Sequence, residues 1–565
     1  MISCLISGIG QPIFETGPVF VLFPVCFSLS LACKHGLQNM CTSTESRGII
    51  NDEPLLPKEE CCNNEETMGA RSEGRFVNGF LRWLLLLSGS FRTLPLTEMG
   101  EEVQALGKIA GPIVMTTLLL YSRSVISMLF LGRLGKTELA GGALAIAFGN
   151  ITGNSILKGL STGMEPICCQ AYGAKRYSVL SQMFQKTLCL LLLVSIPVSV
   201  LWLYVDPIFQ RLGQDPDITK VAKVYMIFSI PELLAQAHLY PLRIFLRTQG
   251  LTSPLTIAAT VSAVLHLPIN YFLATYMKLG VKGIALAIAF NTVNLNLGLI
   301  IYLIVSKKPL KPWHGATFIS AFQGWGPLLS LALPSLISVC LEWWWYEIML
   351  FLCGLLSNPQ ASLAAMGILI QTTGLLYVVP ISLSGGLTTR VGHALGAGQP
   401  SRAQWTAIIG LSVASAFGFS ALTFMIIVRS VWGKLFTDES QILDLVSAAL
   451  PVLGLCELGN SPQTAACGVL TGTARPKLGA RINLFAFYLI GLPVAILITF
   501  VYNVGFLGLW FGLLSAQFSC LFMMGYTLIH TDWRYQTKRA EELTLAIEER
   551  PDRDDLESGL LITVP

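Results

Sequence analysis

Apolar stretches long enough to cross the ~30 Å hydrocarbon core of a bilayer recur twelve times along this chain. They run near residues 109–131, 140–168, 183–205, 221–241, 255–277, 281–305, 325–356, 361–389, 405–430, 441–471, 479–502 and 504–530. Lipid offers no partner for an unpaired backbone amide, so each stretch is expected to be helical. Composition agrees. Hydrophobic residues make up 53% of the 565 and charged residues only 12%, roughly half of what a soluble chain carries. The expected fold class is an all-α integral membrane protein of twelve transmembrane helices.

A second constraint is internal duplication. GLSTGMEPICCQAYGAKRY (159–177) and SLSGGLTTRVGHALGAGQP (382–400) align at a constant offset of 223, which pairs Leu160 with Leu383, Ser161 with Ser384, Gly163 with Gly386 and Gly173 with Gly396. Downstream, an offset of 225 pairs Leu267–Pro268 with Leu492–Pro493 and Gly280 with Gly505. A duplicated half inside so apolar a chain points to a membrane transporter built from repeats. The offset maps span two onto eight, five onto eleven and six onto twelve, so each half holds six spans. Six is even, which gives both halves the same orientation and a pseudo-twofold axis along the membrane normal. The domains expected are an N-terminal arm (1–100), a first lobe (101–306), a cytosolic linker (307–324), a second lobe (325–530) and a cytosolic tail (531–565).

Lys and Arg in the short loops set the orientation. One set of loops holds Lys175, Arg176, Arg247, Lys307, Lys308, Lys311, Arg390, Arg402, Arg475, Lys477 and Arg481. The opposite set holds Arg133, Lys136, Arg211, Lys220, Lys223, Lys278, Lys282, Arg429 and Lys434. The bias places the first set, and both termini, in the cytosol. Residues 41–77 are polar and aperiodic and read as a disordered arm. Pro18 to Cys33 is apolar but short for a span, and Met40 is a candidate alternative start. In the tail, Glu557-Ser558-Gly559-Leu560-Leu561-Ile562 has the form of an acidic dileucine-type sorting signal. The membrane expected is therefore the plasma membrane or a vacuolar or late-endosomal one.

Several classes are excluded. A net charge of +4, thinly scattered, does not suit a nucleic-acid binder. The 14 cysteines and six histidines lack metal-ligand spacing, and no phosphate-binding GxxxxGK[ST] loop is present. No nucleophile–base set suggests an enzyme. Neither a metal nor a cofactor is expected.

SVISMLFLGRLGKTELAGGALA (124–145), GLSTGMEPICCQAYGA (159–174), PELLAQAHLYPLRIFLRTQGLTSP (231–254), CLEWWWYE (340–347), TTRVGHALGAG (388–398) and LFTDES (435–440) occur in this order. From about residue 100 to 530 the chain resembles the multidrug and toxic compound extrusion (MATE) transporters, in their plant detoxification-type branch. The resemblance implies two six-helix lobes around a V-shaped cavity, and a secondary antiporter in which a proton or sodium gradient drives an organic solute.

Charges inside apolar spans are costly and are retained mainly along transport pathways. Glu342, in LPSLISVCLEWWWYE of the seventh span, stands where similar transporters place their cation-coupling glutamate. Glu347, five residues on, is ~140° away around the helix, so both cannot face one small pocket, and Glu347 is a candidate for another part of the cavity wall, for the lobe interface or for a structural role. In the tenth span relatives commonly carry D-S-x-Q, and this chain has Asn460, Ser461, Pro462 and Gln463. Asparagine carries no proton. Either Glu457, one turn earlier on the same face, takes the acid role, or Glu342 works alone with Asn460 and Gln463 as neutral ligands. Glu165 and Arg390 are expected to act in gating at the cytosolic end, with a structural ion link the commoner fate for Glu165. Arg123, inside the first span, is expected to pair with a carboxylate or to meet an anionic substrate. Lys158 is read as a snorkelling lysine without a role. Trp343, Tyr346, Gln371 and Tyr377 complete the candidate cavity lining, where an aromatic face can stack on a flat or cationic solute.

The expected function is an antiporter that exports or sequesters an organic solute in exchange for protons. The partners expected are that solute, the proton or sodium, and the lipid bilayer, with the chain a monomer. Two alternatives stand beside this reading: a transporter-like regulator acting through its cytosolic arms, and a sodium-coupled exporter.

Overall fold

The computed structural model describes residues 96–211, 214–306 and 324–548, with side chains from Met99 onward. Residues 1–95, 307–323 and 549–565 lie outside the described residues, and with them Met40, the Pro18–Cys33 segment and the Glu557–Ile562 pattern.

Every expected span is a helix. In the first half these are α1 (Leu96–Leu134), α2, α3 (Tyr177–Leu203), α4 (Pro216–Thr248), α5 (Ser253–Tyr276) and α6 (Val281–Ser306). Helix α2 is assembled from Lys136–Gly149, a π-helical turn at Asn150–Asn154, Ser155–Thr162 and Met164–Gly173. In the second half they are α7 (Gly326–Cys353), α8 (Pro359–Gly396), α9 (Pro400–Val428), α10 (Ser440–Gly472), α11 (Pro476–Val501) and α12 (Phe506–Ile529). Ten of these twelve are long and apolar enough on their own to cross a membrane. The two that fall short are informative. Helix α2 is interrupted, and α4 carries Glu232, Gln236, His238, Arg243 and Arg247 along its length.

Local chemistry explains the boundaries. Asp215 caps α4 by accepting the amides of Asp217 and Ile218, with Pro216 entering the first turn. At the other end of the design, α2 and α8 close with the same turn. Lys175 and Gly398, equivalent in the repeat, both take left-handed φ values of 60° and 73°. The amides that follow bond back identically, Arg176 to the Ala171 carbonyl and Gln399 to that of Ala394.

The side chains form two apolar cores. One gathers α2–α6 with most of the buried part of α1, and the other gathers α8–α12. Helices α1 and α7 straddle the division. Leu328, Leu331 and Ala332 at the start of α7 pack into the first core, and Leu106 at the start of α1 packs into the second.

The duplicated segments meet each other. A Cβ placed on Gly173 would lie 2.2 Å from the His393 carbonyl oxygen, and one on Gly396 would lie 1.9 Å from the Gln170 carbonyl oxygen. Gln170 and His393 are themselves equivalent at the offset of 223. Their side chains also reciprocate. Gln170 Nε2 donates to the carbonyl of Gly472, the last residue of α10, at 2.9 Å, and His393 Nε2 lies 2.8 Å from the carbonyl of Thr248, the last residue of α4. Cys169 and Gly392, also equivalent, face one another directly. Two halves related by a pseudo-twofold therefore touch, backbone on backbone, at the end that bears Arg176, Arg402 and Arg475. We call this the basic end.

A thirteenth helix, α13 (Trp533–Glu548), follows α12 at that end and turns the expected tail into an ordered element. Arg176 donates to Thr544 Oγ1 at 2.6 Å and to the Glu541 carbonyl at 3.1 Å, and pairs with Glu548 at 3.2 Å. Arg539 reaches the Ala474 carbonyl at 3.1 Å on the opposite side. Ile547 joins the first core and Ala540 the second, so α13 lies across both. Burial, and then the neighbouring Arg539, push the Arg475 guanidinium down to about 10, which leaves it charged at neutral pH. A chain ending at His530 is expected to lose about 2–3 kcal/mol of stability from the uncovered apolar face. A thermal-unfolding midpoint in detergent equal to that of the full chain would contradict this.

Candidate functional site

Between the two cores lies a cavity of about 360 Å³ walled by α1, α2, α4, α7, α8, α10 and α11. That volume lies within the range of small-molecule sites. Its charged wall residues are Arg123, Lys158, Glu165, Arg243, Arg247 and Glu342.

Glu342 is held on the cavity wall by Tyr377, whose hydroxyl donates to Glu342 Oε1 at 3.0 Å. Both come from the second half. Lys158, from α2, faces them across the cavity within electrostatic reach of Glu342. Its ammonium stands 4.8 Å over the ring centroid of Trp343. Lys158 therefore does not snorkel away: the π-turn and the small residues around it carry α2 past α7, with Gly159 against Leu336 and Gly163 against Ala332. Trp343 is the cavity tryptophan of the triplet, while Trp345 is fully buried against Phe487 in the second core.

Two ion pairs neutralise part of the wall. Arg123 Nη2 meets Glu232 Oε1 at 3.3 Å and its Nη1 donates to Thr292 at 2.8 Å, so this arginine pairs with a carboxylate of α4. Arg247 pairs with Glu165. The loop expected to hold Arg247 begins only after Thr248, so this residue sits in the last turn of α4 inside the wall and not in a loop. Lys220 and Lys223, also read as loop residues, occupy the first turns of α4. Gly385 of α8 lies against the Arg247 guanidinium, where a Cβ would come within 2.9 Å. Arg390 lies outside the cavity. It pairs with Glu102, whose Oε1 also accepts from Thr406 at 2.8 Å.

The remaining candidates separate from the cavity. Glu457, Asn460 and Gln463 are buried inside the second half. Asn460 Nδ2 donates to Glu457 Oε2 at 3.1 Å, while Glu457 Oε1 has no hydrogen-bond partner. Tyr346 packs into the second core near Glu457. Glu347, a candidate for the cavity, is not on its wall: the helical turn that points Glu342 inward points Glu347 elsewhere. Gln371 accepts from Tyr121 of α1 and is exposed. No cluster of three His, Cys, Asp or Glu suited to a metal occurs among the described residues.

The MatE family profile matches residues 112–272 and 334–497, two windows that begin 222 residues apart. The chain belongs to the MATE family. It is therefore an integral multi-pass membrane transporter and not an enzyme, and MATE transporters move small organic solutes coupled to ions. Protein DETOXIFICATION 53 of Arabidopsis thaliana is 67% identical over 458 residues, covering 81% of this chain and 94% of the relative. Protein DETOXIFICATION 48 of the same plant is 53% identical over 508 residues, covering 90% and 93%. The crystal structure of the eukaryotic MATE transporter AtDTX14 superimposes with a TM-score of 0.75 at 31% identity, covering 79% of this chain and 99% of that one. The bent form of the Vibrio cholerae MATE transporter VcmN shares the fold, with a TM-score of 0.66 at 17% identity and coverage of 79% and 99%.

In this MATE transporter the residues that sequence reasoning passed over are those of α4. Glu232, Gln236, Tyr240, Arg243 and Arg247 recur at intervals of three and four, which is one helix face. All but Glu232 line the cavity. The signal was available as a polar stripe within an apolar span.

Proposed function

We propose that the chain is a secondary active antiporter that exchanges an organic solute for protons by alternating access. The observation that supports it is the placement of Glu342, the one wall carboxylate not held in an ion pair among the described residues, facing Lys158 of the other half. Protonating Glu342 removes an attraction between the halves, and a ligand can shift a two-state equilibrium only through such a difference between the states. The contact of α2 with α8 closes the basic end in this arrangement. Opening that end while the opposite end closes exposes the same cavity to the other side. The two moving bodies correspond to residues 101–306 and 325–530, joined through 307–324.

Glu457 is the second carboxylate in this scheme. Helices α4 and α10, each of 33 residues, correspond at an offset of 224, which puts Glu457 one residue past the equivalent of Glu232; Glu232 has Arg123 beside it and Glu457 has Asn460. A buried carboxyl without a cation and with one oxygen unpartnered is least costly when it carries a proton. The loop bias supports a cytosolic basic end with both termini on that side. The scheme takes the chain as a monomer in the plasma membrane or, from the Glu557–Ile562 pattern, in a vacuolar or late-endosomal one.

The test is transport by the full chain in proteoliposomes, using a panel of organic acids and cations. A pH gradient alone is expected to drive solute movement against its concentration gradient, with no added effect of sodium. Movement under a sodium gradient alone would assign the sodium-coupled exporter instead.

A further inference from the structure

From the charge balance of the cavity we infer that the transported solute is an organic anion with an apolar body, its acid group seated on Arg243. This deepens the antiporter reading by naming the substrate class of the same cavity, and it rests on that cavity being the solute site.

Four cations reach the wall: Arg123, Lys158, Arg243 and Arg247. Arg123 is cancelled by Glu232 and Arg247 by Glu165. That leaves Lys158 and Arg243 against the single carboxylate Glu342, a surplus of one positive charge, or two once Glu342 is protonated. Arg243 is the decisive residue. Among the described residues it forms neither a hydrogen bond nor an ion pair, although it is half-buried between α4 and the cavity. The groups that act on it are the Tyr240 phenol, then the cations Arg247 and Arg123, with Glu165 the weakest influence and the one carboxylate among them.

An unpaired guanidinium is costly at membrane depth and is retained when something pairs with it there. Its planar fork matches a carboxylate or sulfonate in a two-bond geometry that no ammonium group offers. The rest of the wall suits the remainder of such a molecule. Ile113, Leu120, Leu239, Val339 and Ile381 supply apolar surface, and Tyr240 flanks the guanidinium one helical turn away. A solute cation would have to pass Arg243 and Lys158, with their net positive surplus, to reach Glu342, so the site opposes the opposite class as well as favouring this one.

The test uses two probes of matched size, 1-naphthoate and 1-naphthylmethylammonium, with equilibrium dialysis against the purified full chain in detergent. Naphthoate is expected to bind at least about tenfold more tightly than the ammonium, and Arg243→Gln to lose at least about tenfold of the naphthoate affinity. Arg243→Lys keeps the charge without the fork and should fall between, which separates loss of the contact from loss of the fold. Glu342→Gln should bind naphthoate no more weakly than the natural chain, since it removes the cavity's negative charge. Equal or stronger binding of the ammonium overturns the inference, as does naphthoate affinity unchanged in Arg243→Gln. Competition by chloride at concentrations equal to naphthoate also overturns it, because a small inorganic anion would then suffice. None of these measurements needs a gradient. Anion binding without pH-driven transport would therefore sink the antiporter reading alone, and pH-driven transport of the cationic probe would sink the anion alone.

Discussion

Glu342→Gln is expected to yield a folded transporter whose pH-driven solute movement falls to the level of protein-free vesicles. The amide replaces the carboxylate at nearly the same volume and still accepts from Tyr377, so packing around α7 and α8 is preserved. What is lost is the only wall carboxylate among the described residues that is free of an ion pair. Glu342→Asp keeps an acid one methylene shorter, drawn back from the Tyr377 hydroxyl, and should retain partial coupling. Downhill exchange of solute, with no gradient of protons, should survive in Glu342→Gln, because the cavity itself is intact. Wild-type rates under a pH gradient in that variant would end the proposed role. Should Glu457→Gln abolish coupling while Glu342→Gln does not, the proton site lies inside the second half, with Asn460 as its partner.

The helices were legible in the sequence because the bilayer removes alternatives: an apolar stretch of sufficient length has one way to satisfy its backbone. Even the interrupted α2 and the polar-striped α4 were found, since the cue was a run of largely apolar residues and not an unbroken one. Which charged residues meet was much less legible. Arg247 reads as a loop cation because it precedes the Gln-Gly turn by two residues, yet the helix runs through it and Glu165 reaches it from α2. Lys158 reads as a stray lysine until α7 is known to pass beside α2 and bring Trp343 beneath it. Tyr346 and Trp343 are three residues apart in a run of aromatics, and helical geometry alone does not say which of them faces the cavity. The C-terminal helix was missed for a different reason. Beyond Trp533 at its start, its apolar face is Ala540, Leu543 and Ile547, a weak stripe whose meaning depends on the two cores it touches.

Gly396→Val is expected to prevent closure of the basic end and to reduce transport at least about tenfold, a loss set by the ~1.4 kcal/mol per decade by which any shift of a two-state equilibrium is scaled. The reason is the duplicated segment. Residue 396 meets the Gln170 carbonyl oxygen at 1.9 Å from where a Cβ would sit, and that oxygen belongs to the rigid end of α2. Backbone cannot turn aside as a side-chain tip can, so α2 and α8 must separate. Separation breaks the Gln170–Gly472 and His393–Thr248 contacts together. Gly173→Val should act in the same way, because its own Cβ would meet the His393 carbonyl at 2.2 Å across the pseudo-twofold. Since either change opens one shared contact, the double variant should be little worse than each single one, a departure from additivity that independent sites do not show. Cys169, buried in this contact, supplies the direct readout. Its modification by a maleimide, followed by peptide mass spectrometry, should rise in both variants under conditions that leave the natural chain unlabelled. Unchanged labelling together with unchanged transport in both would mean that the two halves do not need this contact. In that case the repeated glycines would serve packing alone.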